Sequence, residues 1–321
     1  MKCKICQSDK IVLKEKFKPY IDVNFEFDIY DCLNCKSRFA IDVELDENKK
    51  ELHSNNQSPY VEHYKKAEEI KELMENDLLQ CERKLIVNDL LMKKVFKYIE
   101  KFNNKNISIL EIGCSTGYIT AFLQKKGYIN SFGIDISSEP IEYAKQTFGN
   151  FYGLKEEEKE YDIIFFTGVI GCVAEPIEFI KHYMSYLSDN GVMLFNAPNV
   201  DSVKELDEIW VSSPPPDVII LFEKDSFNFV LKEFFDVKYF TTFTPVNILL
   251  KYLNKLQKKK NNIYPRKFYS ENVMKKIKKS KYKQLFKKII LFLIIILVKG
   301  KILRNYSDEY GLIYEVKKIK K

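Results

Sequence analysis

Two groups of side chains in this 321-residue chain have the makings of ligand sites. The first is Cys3-x-x-Cys6 paired with Cys32-x-x-Cys35. Each pair can hold two thiolates about 2.3 Å from one tetrahedral Zn2+, and four Cys ligands leave no open position for a substrate, so a structural metal is expected. A redox dithiol would stand at a strand-to-helix turn and would have no use for a second matched pair. The second group is Glu111-Ile112-Gly113-Cys114-Ser115-Thr116-Gly117, with Asp135 following 18 positions after Gly117. Glycines let the backbone approach a ligand, and a helix N-terminus behind them offers N–H groups to an anion. An acid about 20 residues further on can accept both hydroxyls of a ribose.

These residues need elements to hold them. Residues 17–30 alternate aromatic and aliphatic side chains and would form the strands between the Cys pairs. A unit of about 45 residues buries too little apolar area to fold alone, so bound metal would supply the missing folding energy. Around the glycine turn, Ile107 to Leu110 reads as a strand, Tyr118 to Lys126 as a helix, and Ser131 to Ile134 as the strand that delivers Asp135. Tyr161 to Phe166 reads as a fully buried strand. Glu175-Pro176 opens a helix running to Leu187, and Asp189-Asn190-Gly191 turns the chain into the strand Val192 to Phe195. Phe234 to Phe243 and Gly311 to Ile319 read as a sixth strand and an antiparallel seventh.

Ile109 to Gly117, with Gly133-Ile134-Asp135-Ile136-Ser137, resembles the first two motifs of the class I S-adenosylmethionine-dependent methyltransferases. NAD-binding enzymes are the alternative for the turn; they usually carry Gly at three positions, where this chain has Ser115 at a site that is often Gly in methyltransferases too, and Glu111 before the first Gly also favours the methyltransferase. The succession Asn196-Ala197-Pro198-Asn199, Trp210, Pro214-Pro215-Pro216-Asp217 and Phe222 resembles the methyltransferase group that modifies sugars and other small molecules. That group is found in surface-polysaccharide biosynthesis and is often fused to a four-cysteine zinc ribbon. The resemblance covers residues 1–45 and 107–244.

It implies an α/β fold, a Rossmann-like seven-stranded sheet with an N-terminal zinc ribbon and a helical C-terminal insertion. The division expected is ribbon 1–45, helical linker and lid 46–105, core 106–244, basic helical insertion 245–310 and a final strand 311–321. It further implies S-adenosyl-L-methionine as cofactor beside structural Zn2+. Contacts to the former would come from Glu111, Gly113, Cys114, Ser115, Gly117, Tyr118, Asp135, Ile136 and Thr167, with Tyr60 from the lid. Two departures stand out: Gly171-Cys172 replaces a common Glu-His, and Val218 replaces a common His.

The lid stretch, Pro59 to Lys101, opens with Tyr60-Val61-Glu62-His63-Tyr64, and Tyr60 and Tyr64, four apart, would share a helix face. A hydroxyl acceptor would need a base, for which His63, Tyr64 and Asp217 are the candidates. A neutral amine would attack unaided.

Charge is divided along the chain. Residues 251–321 hold 22 Lys and Arg against Glu271, Asp308, Glu309 and Glu315, a net +18, so the first 250 residues carry −11 within a whole-chain charge of +7. A basic segment on an acidic body suits an anionic surface or a solvated face. Within it, Ile289 to Val298 is a ten-residue apolar run between lysines, short of the ~20 residues that span a bilayer. It reads either as a buried helix or as peripheral contact with anionic membrane through 281–304. No apolar run precedes Cys3, so the expected place is the cytoplasm, including the inner face of the membrane. No fixed-period repeat appears, which excludes solenoids and collagen-like chains.

Three activities fit these features: methylation of a sugar or glycan acceptor, an RNA methyltransferase, and a non-catalytic module that keeps the cofactor fold. A basic arm suits RNA. However, the ribbon is not notably basic, and Thr167-Gly168-Val169 does not match the polar proline motif usual in base-methylating enzymes, so nucleic acid is not the expected partner.

Overall fold

The computed structural model describes residues 1–17, 26–41, 61–86, 89–204, 209–210, 215–241 and 311–319. Tyr60, the insertion 245–310 and its apolar run 289–298 lie outside the described residues. Among the described residues, no helix is long and apolar enough to cross a membrane.

The N-terminal strands β1 (Ile11–Phe17), β2 (Phe27–Cys32) and β3 (Arg38–Ile41) form an antiparallel meander. Three helices follow, α1 (Val61–Asn76), α2 (Leu78–Ile86) and α3 (Leu90–Phe102). The lid stretch is therefore not one continuous helix, and the break at each end of α2 carries an Asp. The Asp77 carboxylate accepts the Gln80 N–H at 2.9 Å and the Asp89 carboxylate accepts the Met92 N–H at 2.9 Å. Such caps satisfy N–H groups that a helix start leaves without partners, so the chain gains by restarting.

The main domain then alternates β4 (Ile109–Ile112), α4 (Tyr118–Lys125), β5 (Ser131–Ile134), α5 (Ser138–Phe148), β6 (Tyr152–Gly153), β7 (Tyr161–Phe166), α6 (Pro176–Ser185) and β8 (Leu187–Ala197). It closes with α7 (Asp201–Lys204), β9 (Ile220–Leu221), α8 (Ser226–Leu231), β10 (Phe235–Thr241) and β11 (Leu312–Lys318). Seven strands pair in the order β10-β11-β8-β7-β4-β5-β6, with β11 antiparallel to both neighbours and β4 through β8 parallel. The Asp189-Asn190-Gly191 turn lies inside β8 rather than before it. There the register jumps from Tyr161 opposite Leu187 to Ile163 opposite Val192, and the extra residues bulge out.

Strand side chains divide by the period of two. Ile109, Ile163, Phe165, Val192, Leu194 and Ile313 join a core with α1 to α4, while Leu110, Ile164, Phe166, Met193, Phe195 and Tyr314 join one with α6 and α8. Both faces are covered, which is why the strands read as unbroken apolar runs. The ribbon shares the second core through Ile5 and Phe39. Its sheet takes a fourth strand from the main domain, with Arg38 opposite Leu221 and Phe39 opposite Ile220. The Ala40 N–H donates to the Ile219 carbonyl at 2.9 Å and the Glu223 N–H to Ser37 Oγ at 3.0 Å.

Candidate cofactor and acceptor site

Beyond the carboxyl end of β4, strand order reverses, because the chain builds outward to β5 and β6 and then returns to β7 and β8. Crevices at such switch points hold ligands in parallel α/β sheets. The turn from Gly113 to Gly117, Asp135, Thr167 and Asn196 all stand at or just beyond these strand ends.

The glycine turn is built for close approach. Gly113 and Gly117 have φ of +69° and +76°, and a Cβ on Gly117 would overlap the Tyr152 ring and lie 2.8 Å from the Ala144 Cβ. Tyr152 also donates from its hydroxyl to the Gly117 carbonyl at 2.7 Å, pinning the turn from β6. Ser115 has φ +49°, the left-handed region that glycine enters at no cost, which explains the Gly often found there. Its strain is met by the bond from its N–H to Asp135 Oδ2 at 2.9 Å.

Asp135 accepts from two backbone groups, the second being Ser137 N–H to Oδ1 at 3.0 Å. Each carboxylate oxygen keeps a lone pair for a ribose hydroxyl. Directly after it, Ile136 is 88 % exposed, an apolar side chain left facing outward at the rim of the crevice.

Glu111 stands apart from the other motif residues. Its side chain is buried and turned into α4, where it accepts from Thr120 N–H at 3.0 Å and Thr120 Oγ at 2.5 Å. Burial pushes its carboxyl up to about 7, the Asp135 charge adds to this, and the two Thr120 bonds oppose it. Its role in this geometry is to position α4. Cys114 is likewise buried, among Ile141, Ala144 and Tyr152, so only its backbone borders the turn. Burial pushes its thiol well up.

Across the crevice, Asn196 ties the loop after β7. It accepts the Gly168 N–H at 2.8 Å and donates to Thr167 Oγ1 at 3.1 Å. The sequence singles out Asn196 only within the Asn196-Ala197-Pro198-Asn199 succession and not as a brace to Thr167 and Gly168, although an Asn at a strand end is a signal for it. Tyr118 starts α4, with Lys66 Nζ 4.9 Å from its ring centre.

The three candidate bases do not converge. His63 Nδ1 lies 3.2 Å from Ser115 Oγ, on the cofactor turn, and its imidazole is held below its usual range by burial and Lys66, against the pull of Asp135. Tyr64 donates to Glu139 Oε1 at 3.3 Å and sets its ring edge-on to Tyr143, 4.8 Å between centres, on α5. Burial and Glu139 both push its hydroxyl up. Asp217 is exposed beyond the ribbon-facing Val218.

The two departures from the sugar group have a packing reason. Val218 is buried with Trp210, Val200 and Leu221 against Phe17, Phe27, Ile29 and Ala40 of the ribbon, and Cys172 borders this cluster. The Val218 carbonyl accepts the Trp210 Nε1–H at 3.1 Å. A Cβ on Gly171 would lie 2.7 Å from Pro198 and 3.2 Å from Val218, while the Gly171 carbonyl accepts the Ile219 N–H at 2.7 Å. These positions seat the ribbon against the rim.

In the ribbon, the four Sγ atoms of Cys3, Cys6, Cys32 and Cys35 lie within 4.8 Å of one another, with Cys3 to Cys35 and Cys6 to Cys32 both at 3.6 Å. Thiolates about 2.3 Å from a tetrahedral Zn2+ are ~3.8 Å apart, so the donor set fits that ion. The two knuckles repeat one backbone design. Gln7 and Lys36 take φ of +56° and +64° and donate to the Cys3 and Cys32 carbonyls at 3.1 Å. Backbone N–H groups of Ile5 and Cys35 point at Cys3 and Cys32 sulfurs, each at 3.4 Å, as thiolates favour.

Residues 85–234 match the family model described as methyltransferase domain. A tRNA (guanine-N(7)-)-methyltransferase of Clostridium botulinum is 30% identical over 164 residues, covering 45% of this chain and 71% of that protein. A malonyl-[acyl-carrier protein] O-methyltransferase of Bacillus anthracis is 27% identical over 112 residues, 32% of this chain and 42% of its own length. The chain thus spans about two fifths of the malonyl-[acyl-carrier protein] enzyme. A solved S-adenosylmethionine-dependent methyltransferase from Archaeoglobus fulgidus aligns with TM-score 0.43 and 17% identity, over 70% of this chain and 92% of that one. With a strand-order switch point that carries the glycine turn and Asp135, the chain belongs to the class I S-adenosylmethionine-dependent methyltransferases.

Proposed function

We infer that the protein transfers the methyl group of S-adenosylmethionine to a sugar or related small-molecule acceptor, of the kind built into cell-surface polysaccharide. The observation that carries this reading is the character of the acceptor side. Among the described residues, Thr167 just after β7, Cys172 in the turn beyond it and Asn196 near the end of β8 are small and neutral, and Cys172 packs against the cluster that the ribbon shares. Neutral hydroxyl and amide groups suit a polar, uncharged acceptor, whereas a phosphate backbone calls for cations.

When bound, the cofactor supplies an electrophilic methyl group on a sulfonium. Asp135 would hold its ribose, Ile136 its base, and the Gly113 to Gly117 turn its amino-acid end. Asn196 would keep Thr167 and Gly168 in place beside the reacting centre. Methyl transfer then rests chiefly on holding the acceptor in line and keeping water out. The same reading takes Cys3, Cys6, Cys32 and Cys35 as a structural zinc site whose ribbon backs the acceptor wall.

A tRNA acceptor is the second reading, supported by the 30% identity to the tRNA methyltransferase. Incubating the protein with methyl-labelled cofactor and either a panel of nucleotide sugars or bulk tRNA separates the two. Label in a nucleotide sugar, abolished by Asp135→Ala, is the expected result. Label in tRNA alone would move the assignment to the second reading, and no cofactor binding by the wild type would remove both.

A further inference from the structure

The lid helix meets the cofactor turn at one residue through two separate contacts. The His63 ring nitrogen Nδ1 is 3.2 Å from Ser115 Oγ, and the His63 carbonyl accepts the Thr116 hydroxyl at 3.3 Å. Ser115 is in turn the residue whose N–H binds Asp135. Thus the imidazole stands over the β4 to β5 side of the crevice. The acceptor rim, Thr167, Cys172 and Asn196, belongs to the β7 to β8 side. A base must reach the acceptor's proton, while a group at Ser115 reaches the anionic end of whatever the glycine turn cradles.

We propose that His63 is a cofactor-binding residue, holding with Ser115 Oγ the carboxylate of the methionyl end of S-adenosylmethionine, and is not the base for the acceptor. This rests on the family assignment of the cofactor site. The pairing fits on chemical grounds. A carboxylate at the turn needs donors beyond backbone N–H groups, and both a hydroxyl and an imidazole N–H can donate to it. The carbonyl contact to Thr116 fixes where the ring sits relative to the turn.

The test uses calorimetry on the full chain with two ligands, S-adenosylhomocysteine and 5′-methylthioadenosine, which lacks the amino-acid end. Removing one charge-assisted hydrogen bond costs about tenfold in affinity, so His63→Ala should weaken S-adenosylhomocysteine by roughly that factor and leave 5′-methylthioadenosine unchanged. His63→Asn, which keeps a donor near the Nδ1 position, should recover part of the loss. Equal weakening of both ligands, or none of either, would overturn the proposal, since the first marks a lid that merely packs and the second a residue outside the site. Should the Ala variant fold poorly, the Asn variant and Ser115→Ala carry the same comparison. Failure of the wild type to bind either ligand would instead strike the cofactor reading beneath it.

Discussion

Arg38 forks onto Asp31 through two nitrogens, Nε to Oδ1 at 2.6 Å and Nη2 to Oδ2 at 3.0 Å, while Nη1 donates to the Ile209 carbonyl at 3.0 Å. The guanidinium is buried, with 3% of the side chain exposed, and Asp31 is one quarter exposed. One arginine therefore joins two ribbon strands to the segment that carries Trp210. Removing the carboxylate strands a buried charge, which costs about 3 kcal/mol, the lower end for such pairs because Asp31 is partly wet. Asp31→Ala should accordingly lower urea stability more than Arg38→Met, which takes the charge away and keeps the stem. The reverse order would show that the fork is not what holds the ribbon down.

Metal removal should reach beyond the cysteines. Because β3 pairs with β9, and Ser37 and Ala40 bond to Glu223 and Ile219, loss of the ribbon fold frees those backbone groups as well. We expect one zinc per chain by elemental analysis. After chelation, hydrogen exchange should rise in residues 3–17, 26–41 and 219–223, with Gly113 to Asp135 unaffected. Faster exchange confined to residues 3–17 and 26–41 would mean that the rim stands without the ribbon.

Glu111 should make stability depend on pH with a defined sign. Its folded carboxyl is raised from an ordinary 4.5 to about 7, so between those values the folded state binds the extra proton and stability falls as pH rises. Glu111→Gln keeps an acceptor for Thr120 without the charge. The variant should therefore gain on the wild type in Tm from pH 5 to pH 8, the gap levelling off above 7. A gap that is flat or shrinks across that range would contradict the buried, proton-holding carboxyl.

Val218→His puts back the side chain common in the sugar group. Here it would land among buried Trp210, Val200, Leu221 and ribbon residues Phe27 and Ile29, all apolar at the contact. Burying an unpaired imidazole costs on the order of 2 kcal/mol, so a drop in stability with no gain in methyl transfer is expected. A stable and faster variant would show that the cluster opens toward the acceptor.

Much of this was legible along the chain because it depends on short spacings. Cys3-x-x-Cys6, the turn from Gly113 to Gly117 and the apolar strand Tyr161 to Phe166 are each set within a few residues by local backbone needs. Asp135 stands 18 positions after Gly117, the distance one helix and one short strand require. What escaped the sequence involves contacts far apart in it. β9, two residues long, has no periodicity to reveal it, and its pairing with β3 joins residues some 180 positions apart.

The sequence by itself determined the glycine turn, the acid that follows it, the four-thiolate set and the unbroken apolar strand that is covered on both faces, since all of these follow from residue type and near-neighbour geometry. Only the tertiary structure decided where the ribbon rests, why Gly171 and Val218 lack polar side chains, and that His63 stands against Ser115. Those depend on which surfaces meet once the sheet has closed. Val218 is apolar because the ribbon lies on it, and His63 stands over Ser115 because the lid helix crosses the β4 to β5 side of the crevice.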